Sequence, residues 1–312
     1  MLIKQKPKQQ LDWTPEEVNI LTTKYLESKS SLEQIASLYL PNRTFSSCRN
    51  KVHALKLISP RDYWMTYDCD KGFWQTPNPL NCYWAGYASN DGCIESGKCL
   101  NLEISVLDRN HLEKFKSDTK YNGIIYDNFR KDKTHCIRMR VHCKEWIKDL
   151  KNIFGIVPRK VNRTVPNINN EYLKFCFLIG QLCADGHICF TNSSSGVSGM
   201  EIGMCSSCHA TTKWNFNLIY KYFENSCIET RPSREVRTRS GGKASVFSIN
   251  GIRACVLYDF IRKFDIPKLE RKWNNLKFIH YVNQRKDKYP ELFSTNEELY
   301  QNLLSEYQKS LL

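Results

Sequence analysis

The 312-residue sequence predicts an α+β fold in which one αββαββα unit is built twice about a pseudo-twofold axis, with curved antiparallel sheets, behind a small three-helix domain. Three observations predict it. Two short stretches, Trp84 to Gly92 and Leu178 to Gly186, repeat one pattern 94 residues apart, each an apolar helical run ending in Asp-Gly. Downstream of each, the same succession of strand and helix periodicities follows. Ahead of both lie three capped amphipathic segments. The expected divisions are 1–57 for a basic leader and three-helix module, 58–80 for a linker or strap, 81–165 for the first half, and 166–312 for the second half and a C-terminal tail.

Taken in order, Thr14-Pro15-Glu16-Glu17 opens the first helix: Thr14 caps it, Pro15 fits the first turn and Glu17 completes a capping box. Val18, Leu21, Tyr25 and Leu26 form its apolar face. Ser31 to Gln34 gives a second capping box, with Ile35, Ala36, Leu38 and Leu40 behind it and Pro41 as the stop. A third helix starts after Thr44 and carries Phe45, Cys48, Val52, Leu55 and Leu57 on one side. Arg49, Asn50, Lys51 and His53 are then available to meet phosphates and base edges, as in a helix-turn-helix unit. The stretch 58–80 has three prolines and several aromatics, so it is expected to pack on a neighbour, since a solvated linker is poor in aromatics.

The first half reads as the motif helix, a strand starting at Cys93–Glu95, a strand over Cys99–Val106 in near-strict alternation, a helix over Asp108–Lys116, strands over Gly123–Tyr126 and Thr134–His142, and a helix over Lys144–Phe154. The second half repeats the order with strands Gly186–Thr191 and Met200–Cys205, helix Thr211–Phe223, strands Arg234–Arg239 and Ala244–Asn250, and helix Ile252–Phe264. Gly241-Gly242 signals a tight hairpin. The two motif helices are the natural seam between halves, because Ala85, Gly86, Ala88, Gly180 and Ala184 are small enough for close backbone approach. That seam brings Asp91 and Asp185 to one end.

Forty-six Lys and Arg against 32 Asp and Glu give a net charge of +14, which favours a polyanionic partner such as nucleic acid. A membrane partner is disfavoured, since no run of about 18 apolar residues exists to span a bilayer. The basic N-terminus also lacks an export signal. The protein is expected in the cytoplasm of a bacterial or phage-infected host, or in a nucleus or organelle if eukaryotic, and not to be secreted. The 14 cysteines then read as small buried hydrophobes. Cys205-Ser206-Ser207-Cys208-His209 matches a haem-attachment pattern and half a zinc site, but neither haem nor structural zinc is expected: the first needs an exported chain and the second another ligand pair at short spacing. His135-Cys136 and His142-Cys143 do not supply one.

The motif poses an electrostatic question. A helix C-terminus carries partial negative charge that disfavours a carboxylate, so something cationic is required at each Asp-Gly. The glycine is expected in the left-handed conformation just past the helix end.

Two resemblances follow from these residues. Trp13-Thr14-Pro15-Glu16-Glu17, Ile35-Ala36 and Arg43-Thr44 with Ser46 or Ser47 resemble Myb or SANT-like DNA-binding modules. Trp-Ala-Gly-Tyr-Ala-Ser-Asn-Asp-Gly and Leu-Ile-Gly-Gln-Leu-Cys-Ala-Asp-Gly resemble the paired signature of single-chain LAGLIDADG homing endonucleases, over about Asn81 to Leu292. That resemblance implies catalytic, metal-holding acids at Asp91 and Asp185, with Gly92 and Gly186 beside them at the metal, and, from the segments Phe154–Lys160 and Asp265–Trp273, lysines near the site at Lys160 and Lys272. Ser89 and Cys183 stand at the sixth motif position, where the family often has an acid. Tyr87 and Gln181 are large or polar for a tight seam.

Two carboxylates meeting at a seam suit Mg²⁺, which takes hard oxygen ligands and leaves positions for water and phosphate. The implied activity is site-specific hydrolysis of double-stranded DNA at a long asymmetric target, by a monomer, leaving 3′ overhangs. Base reading falls to outward strand positions: Arg138 and Arg140 in the first half, with Ser105 or Glu103, and Arg234, Arg237 and Arg239 in the second. A catalytically silent transcription regulator and an RNA-splicing maturase are the rival expectations on the same scaffold.

Overall fold

The computed structural model describes residues 12–27, 32–57, 67–129, 135–193, 196–223, 231–237 and 243–312. Two compact units divide the chain, Met1–Tyr67 and Asp68–Leu312.

In the first unit, α1 (Pro15–Leu26), α2 (Leu32–Leu38) and α3 (Phe45–Ala54) enclose Leu21, Ile35, Ala36, Leu40, Cys48 and Val52. The first capping box forms in full: Glu17 N donates to Thr14 Oγ1 at 3.2 Å, and Thr14 N donates to Glu17 Oε2 at 3.0 Å. Thr44 caps α3 through Ser47 N at 3.1 Å. Arg43 lies over the Trp13 ring, 4.6 Å from its centroid, and pairs with Glu17 at 2.6 Å, tying the start of α1 to the start of α3. Helix α2 stops at Leu38, short of the expected Leu40. Leu40 still reaches the core and donates its amide to Ile35 O at 3.1 Å.

The second unit is α+β and carries the expected order twice. The first copy is α4 (Pro79–Asp91), β1 (Gly92–Glu95), β2 (Cys99–Ser105), α5 (Arg109–Asp118), β3 (Tyr126–Phe129), β4 (His135–Val141) and α6 (Lys144–Asn152). The second is α7 (Glu171–Ala184), β5 (Gly186–Ser193), β6 (Gly196–Ser206), α8 (His209–Phe223), β7 (Arg231–Arg237), β8 (Lys243–Asn250) and α9 (Ile252–Arg262). Both sheets are four-stranded and antiparallel with the same permutation, β1-β2-β4-β3 and β5-β6-β8-β7. One face of each is buried. In the first sheet Leu100, Leu102, Ile104, Ile137, Met139 and Val141 point into the core.

The departures have physical causes. Strand β3 lies at Tyr126–Phe129, not Gly123–Tyr126, because this edge strand buries none of its side chains and so lacks the alternation that marks a strand in sequence. Its position follows from antiparallel pairing with β4, Tyr126 opposite Arg138. The expected Gly241-Gly242 turn lies outside the described residues. The described part of the expected 58–80 strap, residues 67–78, packs as its aromatics imply, residues 58–66 lying outside the described residues: Trp74 is fully buried against Trp146, Phe115 and Phe154, and Trp146 Nε1 donates to Asp70 O at 2.7 Å. The C-terminal tail is helical, with α10 (Glu270–Trp273), α11 (Leu276–Lys288) and α12 (Pro290–Lys309). Helix α12 lies on α7 and α9: Tyr307 stacks on Tyr172 at 5.5 Å, and Asn296 donates to Val256 O at 3.0 Å.

Candidate active site

Helices α4 and α7 form the centre of the second unit. Every residue from Asn81 to Asn90 is buried, which explains why α4 is apolar or small on all sides and has no polar face. Its start is fixed by Asn78, which caps Leu80 and Asn81, followed by Pro79 in the first turn. The seam rests on two glycines. A Cβ at Gly86 would lie 1.9 Å from Phe177 O, and one at Gly180 2.0 Å from Tyr83 O. No other residue fits either place.

Tyr87 and Gln181 do not hold the helices apart. Tyr87 turns into its own half, packing on Trp84 and His111. Gln181 carries a buried relay across the seam: Asn215 Nδ2 donates to Gln181 Oε1 at 2.6 Å, Gln181 Nε2 to Ser89 Oγ at 2.8 Å, and Ser89 Oγ to Gly86 O at 2.7 Å. Ser89 thus has a structural use at the sixth motif position.

Asp91 is the last residue of α4 and Asp185 follows the last residue of α7, so the seam brings both carboxylates to one end. Each helix end has its cation. Lys272 Nζ donates to four carbonyls there, Cys183 and Gly186 at 2.6 Å, Leu182 at 3.0 Å and Ala184 at 3.1 Å. Arg163 serves α4, donating to the carbonyls of Ser89 and, at 3.0 Å, Gly92. Arg163 is 3% exposed and Lys272 7%. Burial pulls both cations' pKa values down. Arg163 was missed in the sequence, although the demand for one cation per helix end called for a partner to Lys272, and Arg163 stands three residues beyond Lys160.

Glycine at 92 and 186 answers to space, not to a left-handed turn. Gly92 is extended, at φ −90° and ψ 150°. A Cβ there would lie 2.3 Å from Ala88 O, and at Gly186 2.4 Å from Leu182 O. The chain turns directly from helix into strand against its own last turn, and a side chain would block it.

The acids sit in different surroundings. Burial pushes the Asp91 carboxyl up to about 6 and the charge of Asp185 adds to the rise, while the Tyr87 hydroxyl and the charges of Lys160 and Lys272 oppose it. Asp185 faces Lys160, with Nζ 3.4 Å from Oδ2. Lys272 is committed to backbone carbonyls, and the carbonyls of Gly92 and Gly186 accept from Arg163 and Lys272. Among the described groups at this end, the two carboxylates and Lys160 are therefore the ones not committed to backbone carbonyls. A carboxylate whose proton is retained by a like charge and by burial is a place where a hard divalent cation fits, since the cation relieves both.

The expected nucleic-acid contacts are distributed over several elements. Arg49, Asn50 and His53 are exposed on α3, while Lys51 leans over the Trp13 ring at 5.9 Å. Arg138 and Arg140 lie on the outward face of the first sheet, where each meets a glutamate: Arg138 Nε donates to Glu103 at 2.8 Å, and Arg140 pairs with Glu95. Arg234 and Arg237 lie on β7, opposite Val246 and Lys243. Arg239 lies outside the described residues.

No protein-family model matches the chain, and no curated protein sequence does. Solved structures do. The LAGLIDADG homing endonuclease I-LtrWI bound to target DNA is 14% identical, with 73% of this chain and 97% of that one covered and a TM-score of 0.43. The LAGLIDADG meganuclease I-AabMI bound to uncleaved DNA is 15% identical, with 72% and 97% covered and a TM-score of 0.43. The homing endonuclease I-WcaI bound to its DNA recognition sequence is 11% identical, with 70% and 96% covered and a TM-score of 0.42. These three solved structures, to which this chain is similar, are LAGLIDADG homing endonucleases, each covered over nearly its whole length.

Proposed function

We propose that this chain is a divalent-metal-dependent endonuclease that cuts both strands of a specific double-stranded DNA site, leaving 3′ overhangs, as the LAGLIDADG motif pair implies. The observation that carries the proposal is the convergence of Asp91 and Asp185 at one end of a glycine-tight seam, each on a helix end whose carbonyls are satisfied by a separate buried cation. Because Arg163 and Lys272 serve the backbone, the two carboxylates remain for the site itself.

Asp91 and Asp185 would hold the cation, Mg²⁺ being the hard ion that two carboxylates suit. When bound, it would supply charge neutralisation at the scissile phosphate, a more acidic water and support for the leaving 3′ oxygen. The protein's own part is positional and electrostatic. Lys160, beside Asp185, would meet the negative charge that builds on the phosphate. Lys272 positions Asp185 by fixing the end of α7, and is assigned no contact with DNA. Arg138, Arg140, Arg234, Arg237 and Arg239 would face the groove, and Arg49, Asn50, Lys51 and His53 would add contacts from α3. The net charge of +14 supports a polyanionic partner.

The test is to incubate the protein and Mg²⁺ with a randomised duplex library and to sequence the ends produced. A unique site cut in both strands is expected, lost in Asp91→Asn and in Asp185→Asn while binding to that site is retained. Absence of cuts with any divalent metal, or cleavage that survives both substitutions, would overturn the proposal.

A further inference from the structure

The outward face of the second sheet holds a side-chain group that the proposed hydrolytic site does not use. His187 and Cys189 stand two residues apart on β5 and so share a face, and Glu201 on β6 lies directly opposite Cys189. One donor atom from each lies within 4.8 Å of the other two. His187 Nε2 is 3.0 Å from Glu201 Oε1, and Ser248 Oγ donates to that same oxygen at 2.6 Å. The imidazole has a built niche. Its cross-strand partner is Gly203, where a Cβ would lie 2.5 Å from His187 Cε1 and 2.9 Å from Nε2.

We propose that His187, Cys189 and Glu201 bind a transition-metal cation of the zinc class through one nitrogen, one sulfur and one oxygen, with the fourth position open to water. The donor set decides the class. Mg²⁺ and Ca²⁺ take oxygen ligands, whereas mixed imidazole, thiolate and carboxylate suit Zn²⁺. A neutral imidazole, a thiolate and a carboxylate together balance the charge of a divalent ion. Bonds of about 2.0–2.3 Å in a tetrahedron set donors roughly 3.5 Å apart, which small side-chain rotations reach from the observed spacing. Ser248 orients the carboxylate from outside, as the partners of metal ligands commonly do. The sequence run that first suggests zinc is split by the fold: Cys205 is exposed on β6, while Cys208 is buried with its thiol on Arg163 O at 3.4 Å. This proposal is independent of the endonuclease reading.

The test is a Co²⁺ titration of the metal-stripped full chain in excess Mg²⁺, followed by displacement with Zn²⁺. One saturating equivalent with a thiolate-to-cobalt charge-transfer band is expected. Cys189→Ser should lose the band, His187→Gln should lose tight binding, and Ser248→Ala should weaken it about 10-fold. Cys205→Ser, another exposed cysteine of the same sheet, should change nothing. Circular dichroism of each metal-free variant checks that the fold persists. Absence of a saturable band in the native chain, a band undiminished in Cys189→Ser, or a band lost in Cys205→Ser would overturn the proposal.

Discussion

The Lys160 ammonium lies 3.4 Å from Asp185 Oδ2, while on the companion helix it is the Tyr87 hydroxyl that chiefly opposes the rise burial imposes on the Asp91 carboxyl. The two acids of a duplicated motif are therefore not equivalent. Lys160 is partly exposed, so its pair with Asp185 contributes little to stability, about 0–1 kcal/mol. In the proposed endonuclease its role is chemical. Lys160→Met is expected to slow single-turnover cleavage by about 10²–10³-fold, the usual effect of removing one charge-stabilising donor. Binding to the target and the urea midpoint should stay nearly unchanged.

Asp91 predicts a pH signature that needs no DNA. Its carboxyl is raised from 3.8 to about 6, chiefly by burial, so the folded state holds the proton more tightly than the unfolded chain does. The stability it contributes is fully present below about pH 4 and is lost as pH rises through about 6. Above that, the ionised carboxylate costs on the order of 2–3 kcal/mol. Metal-free Asp91→Asn should therefore resist urea better than the native chain at pH 8, with the gain shrinking to nothing near pH 4. Adding Mg²⁺ at pH 8 should stabilise the native chain and not the variant. Equal midpoints at pH 8 would contradict the burial of this charge.

Much of this was legible in the sequence. The first capping box, the repeated strand order and the small residues of the seam are local or periodic signals, and each led to the right element, while Ser31 of the second box lies outside the described residues. The need for a cation at each helix end was equally visible, because it follows from the helix dipole alone. Which cation was not. Lys272 lies on the short helix α10 and Arg163 just after a single 3-10 turn, and only the folded path of the chain between elements brings them to the helix ends. Gln181 and Ser89 stand out in the sequence because the partners that Gln181 joins lie 92 and 34 residues from it, at Ser89 and Asn215. The His187, Cys189 and Glu201 group depends on the pairing register of two strands, which spacing within one strand does not reveal.

Lys272 provides a contrast with Lys160. It donates to four carbonyls at the end of α7 and is almost fully buried. Hydrogen bonds from a charged donor contribute about 1.5–3 kcal/mol each, and the carbonyls left unpaired would carry a desolvation penalty. Lys272→Met should destabilise the second unit by roughly 3 kcal/mol in urea, and Arg163→Met by a similar amount, through loss of fold. Cleavage by the surviving folded fraction of Lys272→Met should fall less than in Lys160→Met. The opposite ranking would make Lys272 the catalytic lysine and Lys160 a bystander.

The seam itself can be tested one atom at a time. A methyl group at Gly180 would sit 2.0 Å from Tyr83 O and 2.7 Å from Tyr87 N, and at Gly86 1.9 Å from Phe177 O. All three neighbours are backbone of the opposing helix, so relief requires the helices to separate. Separation would also break the Gln181–Ser89 bond that crosses the same seam. Gly180→Ala is therefore expected to cost more than about 3 kcal/mol, at the upper end of overpacking effects. Gln181→Leu keeps the helices in place but strands Ser89 and Asn215, for about 1–3 kcal/mol. Pairing Gln181→Leu with Asn215→Leu should recover part of that loss, because the stranded donor is removed as well. If Gly180→Ala unfolds at the native urea midpoint, the two helices do not meet as closely as their glycines require.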